Sequence, residues 1–388
     1  KYATIAATEV DGKLVPEDPA VRVLSVEELP KIATLVKTVY GEKTAWFKKV
    51  VDEDGAITLH ECQYEAHGAA GQVFVNGAEK SETNVLRQTG NLTKLEGKTD
   101  IEEGSVGPFE FLAKMGHPET EIKTWRSVKF EHDGEKVAVY YPVKFMGSQI
   151  MRPGTKFKVE GTPLEKLDFV SLMLALFLGT AALPHILIRY YTVPTPAAAR
   201  KSTIVAIAAI GFFYVLTLYM GLGAMVSDVV NPADNNMSAP LLARSFGLLL
   251  FAVISAIAFA TVLGTVSGLI VAASGAVAHD LMDRFAGMNL TDHNKVLAGK
   301  ISAVVVGIIA IILGIIFQGV NVSFLVGLAF AVAASANLPS IIMLLFWKKT
   351  TYQGIVASIT VGIITAIGII LFSPTMYGLY GKLPTEAP

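Results

Sequence analysis

The chain has 388 residues, a mean hydropathy of +0.51, 52% hydrophobic and 17% charged residues, and a formal net charge of −1. Its basic residues are not clustered with aromatics, which excludes a nucleic-acid surface. Cys62, the only cysteine, excludes an internal disulfide and a cysteine-built metal cluster. The charges are segregated. Of 65 Asp, Glu, Lys and Arg residues, 49 lie in 1–168, so a water-soluble part precedes a membrane part. The chain opens at Lys1 with no signal or targeting segment and reads as a piece of a longer protein.

Residues 1–166 are expected to form one α+β domain with several hairpins. Strand–turn–strand patterns occupy 46–64, around Asp-Glu-Asp-Gly, and 126–141, around His132-Asp-Gly. Asn76-Gly77 after 72–75 marks a third hairpin. Ser25-Val-Glu-Glu28 has the spacing of a capping box and opens an expected helix to about Tyr40. The histidines and acidic residues show no metal or catalytic spacing, so no enzyme is expected.

Six membrane spans follow, at 169–191, 203–226, 246–278, 301–317, 324–346 and 354–372, within a membrane region of 167–376. The first carries Gly179 and Thr180 near its middle, then Pro184 and His185. Pro184 removes a backbone donor. Backbone groups freed in hydrocarbon must face protein, water or ligand. Such a span is either a kinked structural helix or a transporter's binding segment. The third is 33 residues long, about 50 Å as a helix, so it must tilt, kink or protrude. Residues 318–323 divide the fourth span from the fifth.

With six spans, alternate connections lie on opposite sides. One side receives Arg189, Arg200, Lys201, Arg284, Lys295, Lys300, Lys348 and Lys349; the other receives Arg244 and Lys382. The positive-inside rule makes the first side the cytoplasm. Residues 1–166 and 377–388 are then expected outside it.

Gly264, Gly268 and Ala272 form a small-residue stripe at spacing four, with Thr261 and Thr265 beside it. These hydroxyls bond either to their own backbone or to a hard cation such as sodium. Ser335, Asn337 and Pro339 form a second polar interruption. His185, an ionisable side chain at membrane depth, is a functional candidate or an interfacial structural residue. The spans contain no Asp or Glu for a proton relay.

The stretch GTAALPHILIRYYTVPTPAAARKS, at 179–202, resembles the sodium:solute symporter family, in its cation/acetate (monocarboxylate) branch. SGAVAHDL at 274–281 and VGLAFAVAASANLP at 326–339 agree with it, and WKKTTYQG at 347–354 resembles the family's late signature. Residues 1–166 resemble a large insertion carried by one bacterial subgroup. The resemblance implies an α-helical membrane protein, part of a LeuT-like inverted-repeat transporter. The six spans would be core helices six to ten and one more, with the domain inserted between core helices five and six. It also implies a sodium site on core helix eight. Aligned back from His279-Asp280-Leu281, the paired hydroxyl positions fall on Gly264 and Thr265, and a carbonyl ligand on Thr261. Gly264 stands where well-studied members have Ser, which leaves one hydroxyl or moves the second to Ser267.

The expected function is sodium-coupled symport of a small monocarboxylate such as acetate. The setting is a bacterial inner membrane, with residues 1–166 outside. Gly179, Thr180, Ala181 and Pro184 are the expected substrate segment, with His185, Ser335 and Asn337 nearby. Thr261, Gly264, Thr265 and Ser267 are the expected sodium residues. The partners implied are the carboxylate, sodium and the lipid bilayer, with no cofactor beyond sodium as coupling ion. Two alternatives stand beside this one. The same scaffold could carry proton-coupled or broader solute symport, or the chain could be a transporter-like sensor whose outer domain binds ligand.

Overall fold

The computed structural model describes residues 2–29, 32–40, 43–52, 54–68, 71–90, 92–99, 104–151, 161–288, 290–317, 320, 322–373 and 376. The expected segment 377–388 and part of the 318–323 break lie outside the described residues. The chain divides into two compact units. One comprises Lys1–Lys156, Met220–Ser245 and Ser373–Pro388; the other comprises Phe157–Tyr219 and Phe246–Phe372.

The first unit holds two antiparallel six-stranded sheets. The first sheet contains β1 (Thr4–Val10), β2 (Lys13–Pro16), β3 (Val21–Leu29), β4 (Ala33–Tyr40), β5 (Lys43–Val51) and β6 (Ile57–Glu61), in the order β2-β1-β6-β5-β4-β3. Its edge strands β2 and β3 touch, so the sheet curls into a near-closed barrel. Inside it Ile5, Ala7, Val21, Val36, Phe47 and Leu59 pack together.

The helix expected over 25–40 is replaced by β3 and β4. Val21 to Leu29 alternates in exposure residue by residue and pairs with Ala33–Tyr40 from Val21↔Tyr40 to Leu29↔Ala33. Val, Thr and alternation outweigh an isolated capping-box spacing, and Pro30 in the sequence opposes a helix through this stretch.

The second sheet contains β7 (Gln63–His67), β8 (Val73–Val75), β9 (Ala78–Glu79), β10 (Leu92–Lys94), β11 (Glu121–His132) and β12 (Glu135–Met146), in the order β10-β11-β12-β7-β8-β9. The hairpin turns place Asn76 and Asp133 at positive φ, each followed by a glycine also at positive φ, which suits tight two-residue turns. The chain crosses between sheets at buried Cys62. Leu35, Trp46, Tyr64, Val128, Val139 and Tyr141 fill the space between them. Burial pushes the Cys62 thiol well above its usual range.

Helix α1 (Pro108–Met115) and the single turn α2 (Gly147–Ile150) flank the second sheet. In the same unit, Met115 and Ile122 pack with Leu222, Met225 and Val226, which end a long helix of the apolar part. Thr89 pairs with Val230 as an isolated antiparallel bridge, its amide 3.0 Å from the Val230 carbonyl. The carboxylate of Asp228 occupies the space a side chain at Gly90 would need.

The helical unit begins at α3 (Pro163–Ala182). Thr162 caps it, its hydroxyl accepting from the Glu165 amide at 3.4 Å while the Glu165 carboxylate accepts from the Thr162 amide at 2.7 Å. It continues as α4 (Pro184–Leu187), α5 (Pro196–Val226), α7 (Leu248–Gly275), α8 (Asp292–Ile316), α9 (Val322–Ala336), α10 (Leu338–Phe346) and α11 (Tyr352–Leu371). The short α6 (Ser238–Ser245) lies in the connection that belongs to the first unit. Among the described residues, five helices are long and apolar enough to cross a membrane, or six with α3 and α4 as one bent span. At 31 residues α5 extends roughly 46 Å, beyond a bilayer core of about 30 Å, and its last turns belong to the β unit. The long third span ends differently: α7 gives way to a wide π-helical stretch, Ala276–Phe285.

Candidate functional site

The two polar interruptions read from the sequence come together. Helix α3 stops at Ala182, Leu183 is extended, and the chain resumes at Pro184 with a bend of 43°. A helix ending there leaves its last four carbonyls, those of 179–182, without intrahelical partners. Pro184 has no N–H to offer Thr180. In the same unit, α9 ends at Ala336 and α10 starts after Asn337, with Pro339 in its first turn. The Asn337 side-chain amide donates to the Ala182 carbonyl at 3.1 Å. One break thus supplies the donor that the other lacks.

Glycines set how closely these helices approach. A side chain at Gly179 would start 2.5 Å from the Phe330 carbonyl oxygen, and one at Gly327 would start 3.3 Å from Leu172. Gly362 of α11 lies against the backbone of Ser335 and Ala336, its own would-be side chain 2.8 Å from the Ala336 Cα. Helix α9 is therefore held between α3 and α11 by backbone-to-backbone packing.

The expected substrate segment divides on inspection. Gly179 is buried against α9, whereas Thr180, Ala181 and Pro184 are exposed and His185 is half-buried. The Thr180 hydroxyl donates to the Leu176 carbonyl at 2.7 Å. A helix C-terminus presents carbonyl oxygens, which suit a cation or a hydrogen-bond donor better than a carboxylate. The donors at this junction come from the facing helix. Asn337 carries two N–H groups, one of them on Ala182. One turn on, Ser340 is 4% exposed and its hydroxyl meets no partner among the described residues. Ser340, Gly327 and Gly362 were not singled out by the sequence reading. Pro339 was the available signal for Ser340, since it marks the first turn in which a side chain is needed.

The expected sodium residues lie on an unbroken stretch of α7. The Thr261 hydroxyl donates to Ile257 at 2.8 Å, Thr265 to the Thr261 carbonyl at 3.0 Å, and Ser267 to the Gly264 carbonyl at 3.1 Å. All four residues are exposed, and nothing lies within 4 Å of a side chain built at Gly264 or Gly268. A hydroxyl that donates its hydrogen keeps its lone pairs, so Thr265 remains able to ligate a cation. Helix α4 touches α7, but the structure does not bring Thr265 together with Thr180 or Asn337 through any hydrogen bond among the described residues. Beyond α7, Asp283 binds Lys295 at 2.8 Å and accepts from the Leu290 amide at 2.7 Å, which closes the turn into α8.

Residues 136–362 match the family model for the sodium:solute symporter family. A monocarboxylic acid transporter of Corynebacterium glutamicum is 48% identical over 238 residues, covering 60% of this chain and 43% of the relative. An uncharacterized symporter, YwcA, of Bacillus subtilis is 44% identical over 239 residues, covering 60% of this chain and 45% of the relative. The chain therefore spans about half the length of the curated relatives it matches. No solved structure matches.

Proposed function

Because the chain belongs to the sodium:solute symporter family, we propose that it forms part of a secondary symporter that carries a small monocarboxylate, acetate being the model solute, together with sodium. The observation that carries this reading is the hydrogen bond from Asn337, at the Pro339 interruption between α9 and α10, to the broken end of α3 at Ala182. Irregular backbone at membrane depth occurs where it lines a cavity or site, and pairs of interrupted helices mark transporter binding sites. Residues 179–184 line the solute path, with Asn337 offering a donor to the carboxylate. Thr265 gives a hydroxyl and Thr261 a carbonyl to sodium, with Ser267 as the further oxygen beside Gly264. The remaining ligands come from the first core helices of a LeuT-like repeat.

The setting is a bacterial inner membrane, with the β unit outside the cytoplasm. Basic residues on the connections support this orientation. The grouping of Lys1–Lys156 with Met220–Ser245 agrees with the two crossings between them, which return the chain to the side it left. Cysteine labelling of intact cells should reach Ser81→Cys and miss Thr195→Cys; the reverse pattern overturns the topology.

The coupling ion is tested in membrane vesicles bearing the complete protein. Sodium-driven acetate uptake should need at least tenfold more sodium for half-saturation in Thr265→Ala, as expected for loss of about 1.4 kcal/mol from one ligand. Thr265→Ser should be mild because the oxygen stays. Uptake that follows an imposed proton gradient, ignores sodium and survives Thr265→Ala replaces sodium coupling by proton coupling.

A further inference from the structure

The β unit carries a cleft of about 300 Å³ that the transport path does not use. Its polar wall is made by Lys48, His60, Lys123 and Lys144. Two cross-strand pairs build that wall. Lys48 stands opposite His60 across β5 and β6, and Lys123 stands opposite Lys144 across β11 and β12. Like charges directly opposite on a ladder destabilise it, so the Lys123–Lys144 pair favours a neutralising anion. Part of that charge is already met, since Glu121 approaches Lys144 at 3.4 Å and Lys94 at 3.5 Å. Lys48 also lies 4.9 Å from the Tyr141 ring centroid. The lining itself is made of three lysines and one carboxylate, Asp52, among its charged residues.

The remaining lining separates by chemistry. Val50, Pro142 and Val143 give an apolar floor, while Thr4 and Thr58 approach the His60 ring nitrogens at 3.5 and 3.3 Å. Outside the lining, Trp125, opposite Pro142, meets the Tyr2 ring at a tilt, the centroids 4.7 Å apart. The indole N–H and the Tyr2 hydroxyl are both buried without a partner among the described residues. Cations and donors beside an apolar floor suit an organic anion better than an inorganic one.

We infer that this cleft binds a small carboxylate, its head between Lys123, Lys144, Lys48 and His60 and its short tail on Val50, Pro142 and Val143. The choice of a carboxylate among organic anions rests on the proposed transport function; the anion preference rests on the cleft itself. His60 agrees with this polarity. Burial first, then Lys123, Lys144 and Lys48, hold its ring below the ordinary value of 6.5, with Asp52 pulling the other way. A bound anion counters that lysine field.

The test measures acylation of each lysine in the complete protein in nanodiscs, at constant ionic strength, by mass spectrometry. Acetate should slow acylation of Lys48, Lys123 and Lys144 and leave exposed Lys13 unchanged. Propionate should protect at about fourfold lower concentration, one buried methylene's worth. Chloride and phosphate should need at least tenfold more than acetate. Lys123→Gln should raise the acetate concentration that protects Lys48 and Lys144 by tenfold or more, and Lys123→Arg should not. If Lys123→Gln fails to fold, the anion series on the unaltered protein still decides. Equal protection by chloride or phosphate, or none by acetate, overturns the inference. The readout is local to the cleft. Unprotected lysines with intact uptake defeat this site alone, and protected lysines without uptake defeat the transport reading alone.

Discussion

In the β unit the hidden residues are large: Trp46 and Tyr141 are 1% exposed, and Leu35 and Phe47 are fully buried. In the helical unit the hidden residues are small, among them Gly179, Ala182, Ala333, Ala336 and Ser340, while Phe177 and Leu249 stand 76% and 81% exposed. The contrast follows from the solvent each unit meets. In water, large apolar side chains gain most by leaving the surface. In lipid they gain nothing by doing so, and helices associate through close backbone approach and hydrogen bonds instead. Stability in the first unit is a matter of filled volume. In the second it is a matter of shape at a few glycines and of one donated amide.

Substitutions can break this contrast. The largest effect should come from Trp46→Ala, which empties the space against Phe130 and His132, whose rings lie 5.4 and 5.2 Å away. A loss of about 3–5 kcal/mol is expected. Hydrogen exchange should show it in β5 and β12 but not in α9; protection unchanged in β5 would contradict the core described. Gly179→Leu comes next. Its added side chain meets the Phe330 backbone, costing about 1–3 kcal/mol or more, whereas Gly264→Leu, with nothing within 4 Å, should leave thermal stability in bilayers nearly unchanged. Equal stability of the two would dissolve the α3–α9 packing. Asn337→Ala removes the cross-helix amide and should cost about 0.6–1.7 kcal/mol, read as faster exchange on both sides of the α3 break.

The smallest effect concerns pH. His60 is held below its ordinary value of 6.5 in the folded state, so the unfolded chain binds the extra proton first. Stability should therefore fall as pH drops below about 6.5, and His60→Gln should flatten that part of the unfolding profile. An unchanged slope in His60→Gln would remove His60 as its source.

Much of this was legible in the residues. Apolar, charge-free runs mark the helices because lipid leaves the chain few other choices. The Asn76-Gly77 and Asp133-Gly134 turns fix their hairpins through positive φ. Gly179, Pro184 and Asn337 were visible as irregularities, but their meeting was not, since 155 positions separate Ala182 from Asn337. The stretch 25–40 departs from the expected helix because a four-residue capping pattern is local, while β3 is decided by its partner β4. The basic cleft was invisible for the same reason. Lys48 meets His60 through the pairing of β5 with β6, and Lys123 and Lys144 of the other sheet join them only when the two sheets pack.

The bridge between Thr89 and Val230 makes the β unit a poor cassette. An inserted module that closed on itself could be excised at its two ends and the cut sealed. Here the seam runs through a connection far along the chain, where Leu222, Met225 and Val226 complete the unit's own packing and Asp228 fills the notch at Gly90. Cutting out the β strands would strip the apolar cover from the end of α5. Grafting them elsewhere would take from Met115 and Ile122 the part of their packing that Leu222, Met225 and Val226 supply. Any exchange of this module between relatives has to carry both pieces of chain together.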